Sequence, residues 1–218
     1  MNKLNKKYLV IEGNIGTGKS TLAKMISKDV DARLVMETFA DNPFLPKFYD
    51  DQERYAFPLE LSFLAERYKQ LKKDFDTGDL FHEMTIADYH FFKSLIFAAK
   101  TLPEDEYRLY RQIFDIIYSM TPIPDLYIYL HRPIDILLKQ IEKRGRIYEK
   151  SINGEYLKNL QNGYFQFFKE HPELPVLVVN LEDLNFETDE QVYNTLINLI
   201  GNDYQKGITR INLMTLLG

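Results

Sequence analysis

A nine-residue stretch near the N-terminus has the residue types and spacing of a phosphate-binding loop. The pattern G-x-x-x-x-G-K-[ST] is matched in full by Gly13-Asn14-Ile15-Gly16-Thr17-Gly18-Lys19-Ser20, and Thr21 follows. Glycines let backbone N–H groups curl around phosphate oxygens, the lysine neutralises charge on the β- and γ-phosphates, and the serine hydroxyl is placed to ligate Mg²⁺. Residues 13–21 therefore predict a site for a nucleoside triphosphate with Mg²⁺.

Two acids follow short apolar runs that read as strands. Glu37 comes after the run at 33–36, and Asp88 comes after the run at 84–87. Ligands of parallel α/β sheets bind beyond the carboxyl ends of the strands, so both acids are expected to face the phosphate loop. A kinase acting on an alcohol needs one carboxylate to accept the hydroxyl proton and further acids around its metal ion. Each acid taken alone has a second interpretation, as a helix cap or a polar loop residue.

Two further polar groups leave two interpretations open. Glu60 and Arg67 lie about 20° apart around a helix that starts near residue 57, which suits either a surface ion pair or a polar pair facing a ligand. The cluster Lys143-Arg144-Gly145-Arg146 follows another predicted helix. It suits either helix capping or a mobile lid whose arginines close over phosphates.

The elements that must position these residues alternate between strand and helix. Strands are predicted at 8–11, 33–36, 84–87, 126–130 and 176–179, and helices at 21–29, 57–71, 92–100, 103–120, 134–143, 156–169 and 189–200. Pro58 is expected in the first turn of its helix or at a kink. The tail after Asn202 is ambiguous, and residues 211–217 suit a helix. The alternation predicts an α/β fold of one domain, with a parallel sheet covered by helices on both faces.

Composition excludes several classes of protein. The chain of 218 residues has a net charge of −5 and no cysteine, which excludes disulfide frameworks, thiolate metal sites and a cysteine nucleophile. No basic run exceeds two residues, so a nucleic-acid partner is not expected. No apolar stretch is long enough for a membrane span, and the N-terminal one is too short for a signal peptide. We therefore expect a soluble, cytoplasmic protein without membrane contact.

Several segments together resemble the deoxyribonucleoside kinases, and within them the bacterial deoxyguanosine and deoxyadenosine kinase branch. In chain order they are GNIGTGKST, ETFADNPFLPKFYDD, IADYHFFKSLIFA, PDLYIYL and IEKRGRIYEK. The resemblance extends over residues 8 to 181. It implies a P-loop kinase with a small five-stranded parallel sheet wrapped by helices, usually a homodimer. The implied activity is transfer of the γ-phosphate of ATP to the 5′-hydroxyl of a deoxynucleoside.

The resemblance also assigns roles on the catalytic side. Glu37 matches the general base of the family, with Lys19 in the phosphate loop. Arg144 and Arg146 match arginines of a lid, here at about 144–154. Asp88 matches less directly, because many relatives carry D-R-S or E-R-S where this chain has Ala87-Asp88-Tyr89. The acid is shifted by one residue and the arginine is absent. Ser20 and Asp88 are therefore expected at the metal ion, with Asp88 binding it through a water molecule.

On the acceptor side the resemblance implies a sugar site and a base site. Tyr49 and Glu149 match the pair that hydrogen-bonds the 3′-hydroxyl, and Phe97 matches the aromatic residue that stacks on the base. The base-contacting positions are filled by Glu60, where many relatives have glutamine, by Arg67, and by Lys93, where many relatives have an acid.

These differences predict which base is bound. Guanine presents two adjacent donors, N1–H and the 2-amino group, which the carboxylate of Glu60 can accept. Arg67 and Lys93 can donate to guanine O6 and N7, whereas an ionised Glu60 would repel N1 of adenine. The sequence therefore predicts a deoxyguanosine kinase of nucleotide salvage. The alternatives are a deoxyadenosine or deoxycytidine kinase, a nucleoside monophosphate kinase, and a non-catalytic nucleotide sensor.

Overall fold

Strands and helices alternate along most of the chain. The structure is a computed structural model and describes residues 4–37, 42–76, 82–118 and 121–217. The strands are β1 (Tyr8–Gly13), β2 (Arg33–Val35), β3 (Thr85–Ala87), β4 (Leu126–His131), β5 (Pro175–Asn180) and β6 (Gly207–Asn212). The helices are α1 (Lys19–Val30), α2 (Leu45–Asp50), α3 (Gln52–Asp76), α4 (Lys93–Thr101), α5 (Glu104–Tyr118), α6 (Ile134–Arg144), α7 (Gly154–Glu170), α8 (Glu190–Gly201) and α9 (Met214–Leu217), with a 3₁₀ helix at Ile147–Glu149.

The strands of the described residues form one sheet in the order β2-β3-β1-β4-β5-β6. Every pairing between neighbouring strands is parallel. β1 lies inside the sheet, where Val10 pairs with Ala87 on one side and Tyr127 on the other. The carboxyl ends of β1, β2 and β3 therefore meet at one edge, which brings together the phosphate loop and the residues that follow β2 and β3.

Helices cover both faces of the sheet, as the sequence predicts. On one face, Leu9 and Ile11 of β1 pack with residues of α1 and α8. On the other, Val10 packs against an aromatic layer from α4, α5 and α7 that includes Phe114 and Phe168. The near-continuous apolar run of β1 is what a strand buried on both faces requires. Among the described residues, no helix combines the length and the apolar character that a membrane crossing would need.

Within the part of the chain that the structure describes, the sheet has six strands, so the expectation of five is wrong. The sixth strand is β6 in the tail, which pairs in parallel with β5 from Gly207 to Asn212. The predicted helix at 211–217 is correct only for α9. β6 is an edge strand of partly exposed residues, so it lacks the apolar run by which the inner strands are recognised.

The segment before β3 also differs from the prediction. α3 begins at Gln52 and not near 57, so Pro58 lies inside the helix and not in its first turn. α2 was not predicted, because six residues are too few for a helical period to be visible. The predicted helix 103–120 is α5 up to Tyr118, and residues 119 and 120 lie outside the described residues.

Candidate active site

The phosphate loop joins the end of β1 to the start of α1 and is held by its own polar groups. The Asn14 side chain donates to the Leu157 carbonyl at 2.7 Å and accepts from the Ile15 N–H at 2.8 Å. Gly18 has a φ of 94°, and a Cβ added there would lie 2.8 Å from the ring of Phe186. Only glycine combines this backbone conformation with so close a neighbour.

Lys19 projects from the first turn of α1 into the site. Its Nζ donates to the Asn14 carbonyl at 3.1 Å. Burial lowers the pKa of Lys19 to about 8, and the ammonium of Lys93 adds to that effect, although the carboxylates of Glu12 and Glu37 oppose it. The lysine is therefore a partly buried cation that a phosphate oxygen would stabilise.

Asp88, which follows β3 directly, connects the phosphate loop to the residue after β2. Its Oδ2 accepts from the Ser20 hydroxyl at 2.5 Å, and its Oδ1 accepts from the Glu37 N–H at 2.6 Å. Asp88 is buried. The two acids that sequence reasoning placed at the strand ends therefore do lie together beside the phosphate loop.

Two cations from different helices bind the carboxylate of Glu37. Arg67 Nη2 of α3 lies 2.5 Å from Oε1, and Lys93 Nζ of α4 lies 2.5 Å from Oε2. Burial alone would raise the pKa of Glu37, but Lys93 and Arg67 lower it to about 2. The carboxylate is therefore ionised throughout the physiological pH range.

Glu60 and Arg67 are buried, at 2% and 4% exposure, so they do not form a surface ion pair. Arg67 also donates from Nη1 to the Ser94 hydroxyl at 2.7 Å, and its Nε has no partner. Glu60 has Oε1 within 3.2 Å of the Thr101 hydroxyl, while Oε2 has no partner. Both side chains line the central cavity, which favours the ligand-facing interpretation.

One cavity of about 590 Å³ gathers almost all of the residues that the sequence singled out. Its lining includes the predicted phosphate-binding residues Ile15, Gly16, Thr17, Gly18, Lys19, Ser20 and Thr21 and the arginines Arg144 and Arg146. It also includes Glu37, Tyr49, Glu60, Arg67, Asp88, Lys93, Phe97 and Glu149. Gly13 and Asn14 are outside the cavity lining, since they shape the loop from behind.

The two arginines after α6 converge on one acid. Arg144 donates from Nε and Nη2 to Glu149, with the shortest distances at 2.6 Å, and Arg146 Nη1 lies 3.3 Å from Glu149 Oε1. Gly145 ends α6 with a φ of 70°, which turns the chain back toward the cavity. Both helix-end capping and an arginine-bearing segment over the cavity are therefore present in the same few residues.

Sequence reasoning missed Arg132, whose guanidinium joins two sides of the cavity. It donates to the carbonyls of Thr17 at 3.3 Å, Glu182 at 2.8 Å and Leu184 at 2.7 Å. Residues 183–187 line the cavity beside it. A cation directly after β4 was the available signal, because ligands bind beyond the strand ends.

Glu12 in β1 was missed as well. It is fully buried and accepts from the His90 N–H at 2.9 Å and from the Tyr164 hydroxyl at 3.0 Å. Burial raises its pKa, against the opposing charges of Lys93 and Lys19. An acid inside an otherwise apolar strand could have revealed it.

Comparisons with known proteins agree with this geometry. The family model described as deoxynucleoside kinase matches residues 9–204. Deoxyguanosine kinase of Bacillus subtilis is 40% identical over 186 residues, covering 82% of this chain and 88% of the relative. Deoxyadenosine/deoxycytidine kinase of the same organism is 31% identical over 196 residues, covering 88% and 90%.

A solved structure supports the same assignment. Deoxyadenosine kinase from M. mycoides with bound dATP superimposes with a TM-score of 0.74 at 26% identity, over 88% of this chain and 99% of the other. The resemblance noted in the sequence is thereby confirmed along most of the chain. On its fold, its phosphate loop and these matches, the chain belongs to the deoxynucleoside kinase family.

Proposed function

We propose that this enzyme transfers the γ-phosphate of ATP to the 5′-hydroxyl of a purine deoxynucleoside, with deoxyguanosine preferred, as a step of nucleotide salvage. One observation carries the proposal. The Glu37 carboxylate lies in the same cavity as the phosphate loop and the unpartnered polar atoms of Glu60 and Arg67. Such a cavity suits a charged donor on one side and a neutral, hydrogen-bonding acceptor on the other.

In the proposed reaction the chain positions two reactants and moves one proton. Glu37 accepts the proton of the 5′-hydroxyl as its oxygen approaches the γ-phosphorus. Lys19 binds phosphate oxygens together with Arg144 and Arg146, which belong to a lid at about 144–154. These cations stabilise the charge that spreads over the transferred group.

The residues near Ser20 fit Mg²⁺ as the partner of ATP. A hydroxyl and a carboxylate, from Ser20 and Asp88, lie side by side next to the phosphate loop, and both offer the oxygen ligands that this ion prefers. Within the described residues no group of three or more His, Cys, Asp or Glu side chains could hold a metal ion. That fits an ion completed by phosphate oxygens and water, with Asp88 acting through a water. When bound, the ion would neutralise phosphate charge.

The acceptor sits on the other side of Glu37. We propose that Tyr49 and Glu149 bind the 3′-hydroxyl and that Phe97 stacks on the base. Because Arg144 and Arg146 contact Glu149, sugar binding and lid position are linked. Two unpartnered buried atoms, Glu60 Oε2 and Arg67 Nε, supply an acceptor and a donor for the base.

Guanine is the base that fits Glu60 and Arg67 best when Glu60 is ionised. Its N1–H and 2-amino groups would donate to Glu60, and its O6 and N7 would accept from Arg67 and Lys93. Lys93 Nζ lies 5.4 Å from the centre of the Phe97 ring, so it can reach a stacked base while it remains near Glu37. The name of the Bacillus subtilis deoxyguanosine kinase supports the choice. Deoxyadenosine is the second candidate, since another relative is named for it.

We also propose a homodimer of single-domain chains that works in the cytoplasm on free deoxynucleosides. The family resemblance supports the dimer, and ATP as donor supports the location. Sedimentation of the purified protein tests the oligomeric state, with a monomer as the contradicting result.

A kinetic panel tests the proposed function. The four deoxynucleosides and the corresponding monophosphates are compared as acceptors with ATP and Mg²⁺. We expect phosphorylation of nucleosides and not of monophosphates, with the highest kcat/KM for deoxyguanosine near neutral pH. Faster turnover of a monophosphate would favour a nucleoside monophosphate kinase, and turnover of none would favour a nucleotide sensor.

Glu37→Gln tests the general base. We expect kcat to fall by roughly 10²- to 10⁴-fold with ATP binding retained. Glu66→Gln is the matched control, because Glu66 lies on α3 with its side chain about half exposed. The two melting temperatures must be compared, since the glutamine leaves two buried cations without their anion. Full activity of Glu37→Gln would refute the role.

A further inference from the structure

The hydroxyl of Thr101 has two acceptors within reach and one proton to give. Its Oγ1 lies 2.9 Å from the Phe97 carbonyl and 3.2 Å from Glu60 Oε1. The shorter contact is a common one for threonine in a helix, where the hydroxyl donates to the carbonyl four residues earlier. If that proton goes to Phe97, the contact with Glu60 needs a proton from Glu60 itself. When Thr101 donates to Glu60 instead, its proton is shared with Phe97, so Glu60 Oε1 has a weak partner and Oε2 has none. In either case the hydrogen bonds of the protein do little to stabilise the ionised form of Glu60.

The surroundings of Glu60 favour the same protonated form in the empty site. Burial raises the pKa of Glu60 to about 7, although Arg67, the hydrogen bond from Thr101 and Lys93 oppose this. The charged and titratable groups that face it come from every neighbouring element: Arg67 on α3, Lys93 on α4, Glu37 after β2, Tyr110 on α5 and Tyr156 on α7. Glu37 repels a charge on Glu60, and both tyrosines stay neutral because burial raises their pKa.

The two purines require opposite protonation states of a carboxyl group. An ionised carboxylate only accepts, whereas a protonated one also donates. Guanine offers two donors along the edge that Glu60 faces. Adenine offers an acceptor at N1 beside a donor at its 6-amino group. A protonated Glu60 would donate to N1 and accept the 6-amino proton at Oε2, which has no partner in the protein.

We propose that one proton on Glu60 selects between the purines: the ionised side chain binds deoxyguanosine, and the protonated side chain binds deoxyadenosine. This inference rests on the proposed function, since it places the base against Glu60. Binding of deoxyguanosine then releases the proton to solvent, and binding of deoxyadenosine retains it or takes it up. The ratio of the two activities becomes a function of pH.

The test measures kcat/KM for both nucleosides from about pH 5.5 to about pH 8.5 at fixed ATP and Mg²⁺. For a midpoint near pH 7, we expect the value for deoxyguanosine to rise roughly 30-fold and that for deoxyadenosine to fall by a similar factor. The ratio is the decisive quantity. Titration of Lys19 affects kcat/KM for both nucleosides alike and therefore cancels in the ratio. Glu37 is ionised over the whole pH range of the test.

Glu60→Gln is the control, because its amide donates and accepts at every pH. We expect its ratio to be independent of pH and to favour deoxyadenosine more than the wild-type ratio at high pH does. Calorimetry of nucleoside binding in two buffers of different ionisation enthalpy gives a second measurement, with proton release expected for deoxyguanosine only.

The possible failures are distinguishable. A flat ratio in an active wild-type enzyme would overturn the proton selection and leave the kinase function intact. A pH-dependent ratio that persists in Glu60→Gln would assign the proton elsewhere and also overturn it. Absence of phosphorylation of every deoxynucleoside would refute the proposed function, while calorimetry would still decide whether binding is linked to the proton.

Discussion

Lys93 reaches Glu37 from the first turn of α4, and Arg67 reaches it from the middle of α3. The acid that follows the third strand, Asp88, is followed by Tyr89 and not by an arginine. The second cation beside Glu37 therefore comes from α4. At the scale of single residues, Lys93 holds Glu37, the proposed general base, and in the proposed complex it also faces the nucleobase.

Replacing Lys93 separates these roles. In Lys93→Met the carboxylate keeps one of its two partners, and we expect kcat to fall by roughly 10- to 100-fold because Glu37 loses its orientation. KM for the nucleoside rises, and KM for ATP changes little. Lys93→Arg retains the charge and should recover most of kcat. Equal kcat values for Lys93→Met and the wild type would contradict this positioning.

The pH dependence of ATP use should report Lys19. Its ammonium is present below its pKa of about 8 in the empty protein and is lost above it. We therefore expect kcat/KM for ATP to fall as the pH rises from about 7 to about 9.5. The fall in kcat should occur at a higher pH than the fall in kcat/KM, because the phosphates of bound ATP stabilise the charged form of Lys19. Lys19→Arg should show no fall in this range, and a flat wild-type profile would exclude Lys19 as its source.

At the scale of elements, the phosphate loop depends on segments far away in the sequence. Phe186, after β5, contacts Gly18, while Arg132, after β4, binds the carbonyls of Thr17 and Leu184. These contacts hold the loop against residues 183–187. A substitution within residues 183–187 should therefore alter ATP binding by displacing the phosphate loop.

Two glycines make a matched test of that packing. Gly18 and Gly207 both have positive φ, at 94° and 99°, but a Cβ at Gly207 has no neighbour within 4 Å. We expect Gly207→Ala to cost about 1 kcal/mol of stability through backbone strain and to leave ATP affinity unchanged. Gly18→Ala adds a clash with Phe186 and should weaken ATP binding by more than about tenfold. Similar ATP affinities of the two variants, measured by calorimetry, would contradict the role of the contact.

Local patterns predicted the inner elements well and the edges poorly. Buried strands such as β1 and β4 are mostly apolar, and the longer helices repeat their apolar residues over several turns. β6 pairs on one side only and contains Thr209 and Arg210, so its sequence resembles a loop. The start of α3 was misplaced because Pro58 suggested a boundary, although the helix includes it.

At the scale of the whole molecule, the distribution of charge matters more than its sum. The net charge is −5, yet the cavity collects cations from α1, α3, α4 and the end of α6. Several buried groups carry shifted pKa values in consequence. The stability of the empty protein should therefore depend on pH in ways that individual groups explain.

His90 provides the clearest case. It is buried among aromatic rings, and burial lowers its pKa from the ordinary 6.5 to about 4. The unfolded chain therefore binds a proton at His90 that the folded chain does not, in the window between these values. The contribution of neutral His90 to the free energy of unfolding is fully present above about pH 6.5. It is lost as the pH falls, by up to about 1.4 kcal/mol per pH unit.

His90→Phe should reduce this loss. We expect its free energy of unfolding to fall less than that of the wild type between about pH 7 and about pH 5, whatever its stability at pH 7. Urea denaturation at both values measures the two slopes. Parallel slopes would show that another group causes the dependence on acid.

The sequence by itself determined the phosphate loop, the α/β class and the family. These depend on contiguous residues, because a glycine-rich loop between a strand and a helix can be recognised from its own sequence at any position in the chain. Strand ends in a parallel sheet share an edge, and this placed Glu37 and Asp88 beside the phosphate loop. The acceptor-side residues were assigned by the family resemblance.

Only the tertiary structure decided how those residues share their charges. The pairing of Glu37 with Arg67 and Lys93 joins three elements, and no spacing in the chain encodes it. Burial likewise turned Glu60 from an ordinary carboxylate into a group that titrates near neutral pH. The physical reason is that Coulomb energies and desolvation depend on distances and exposure, and folding alone sets both.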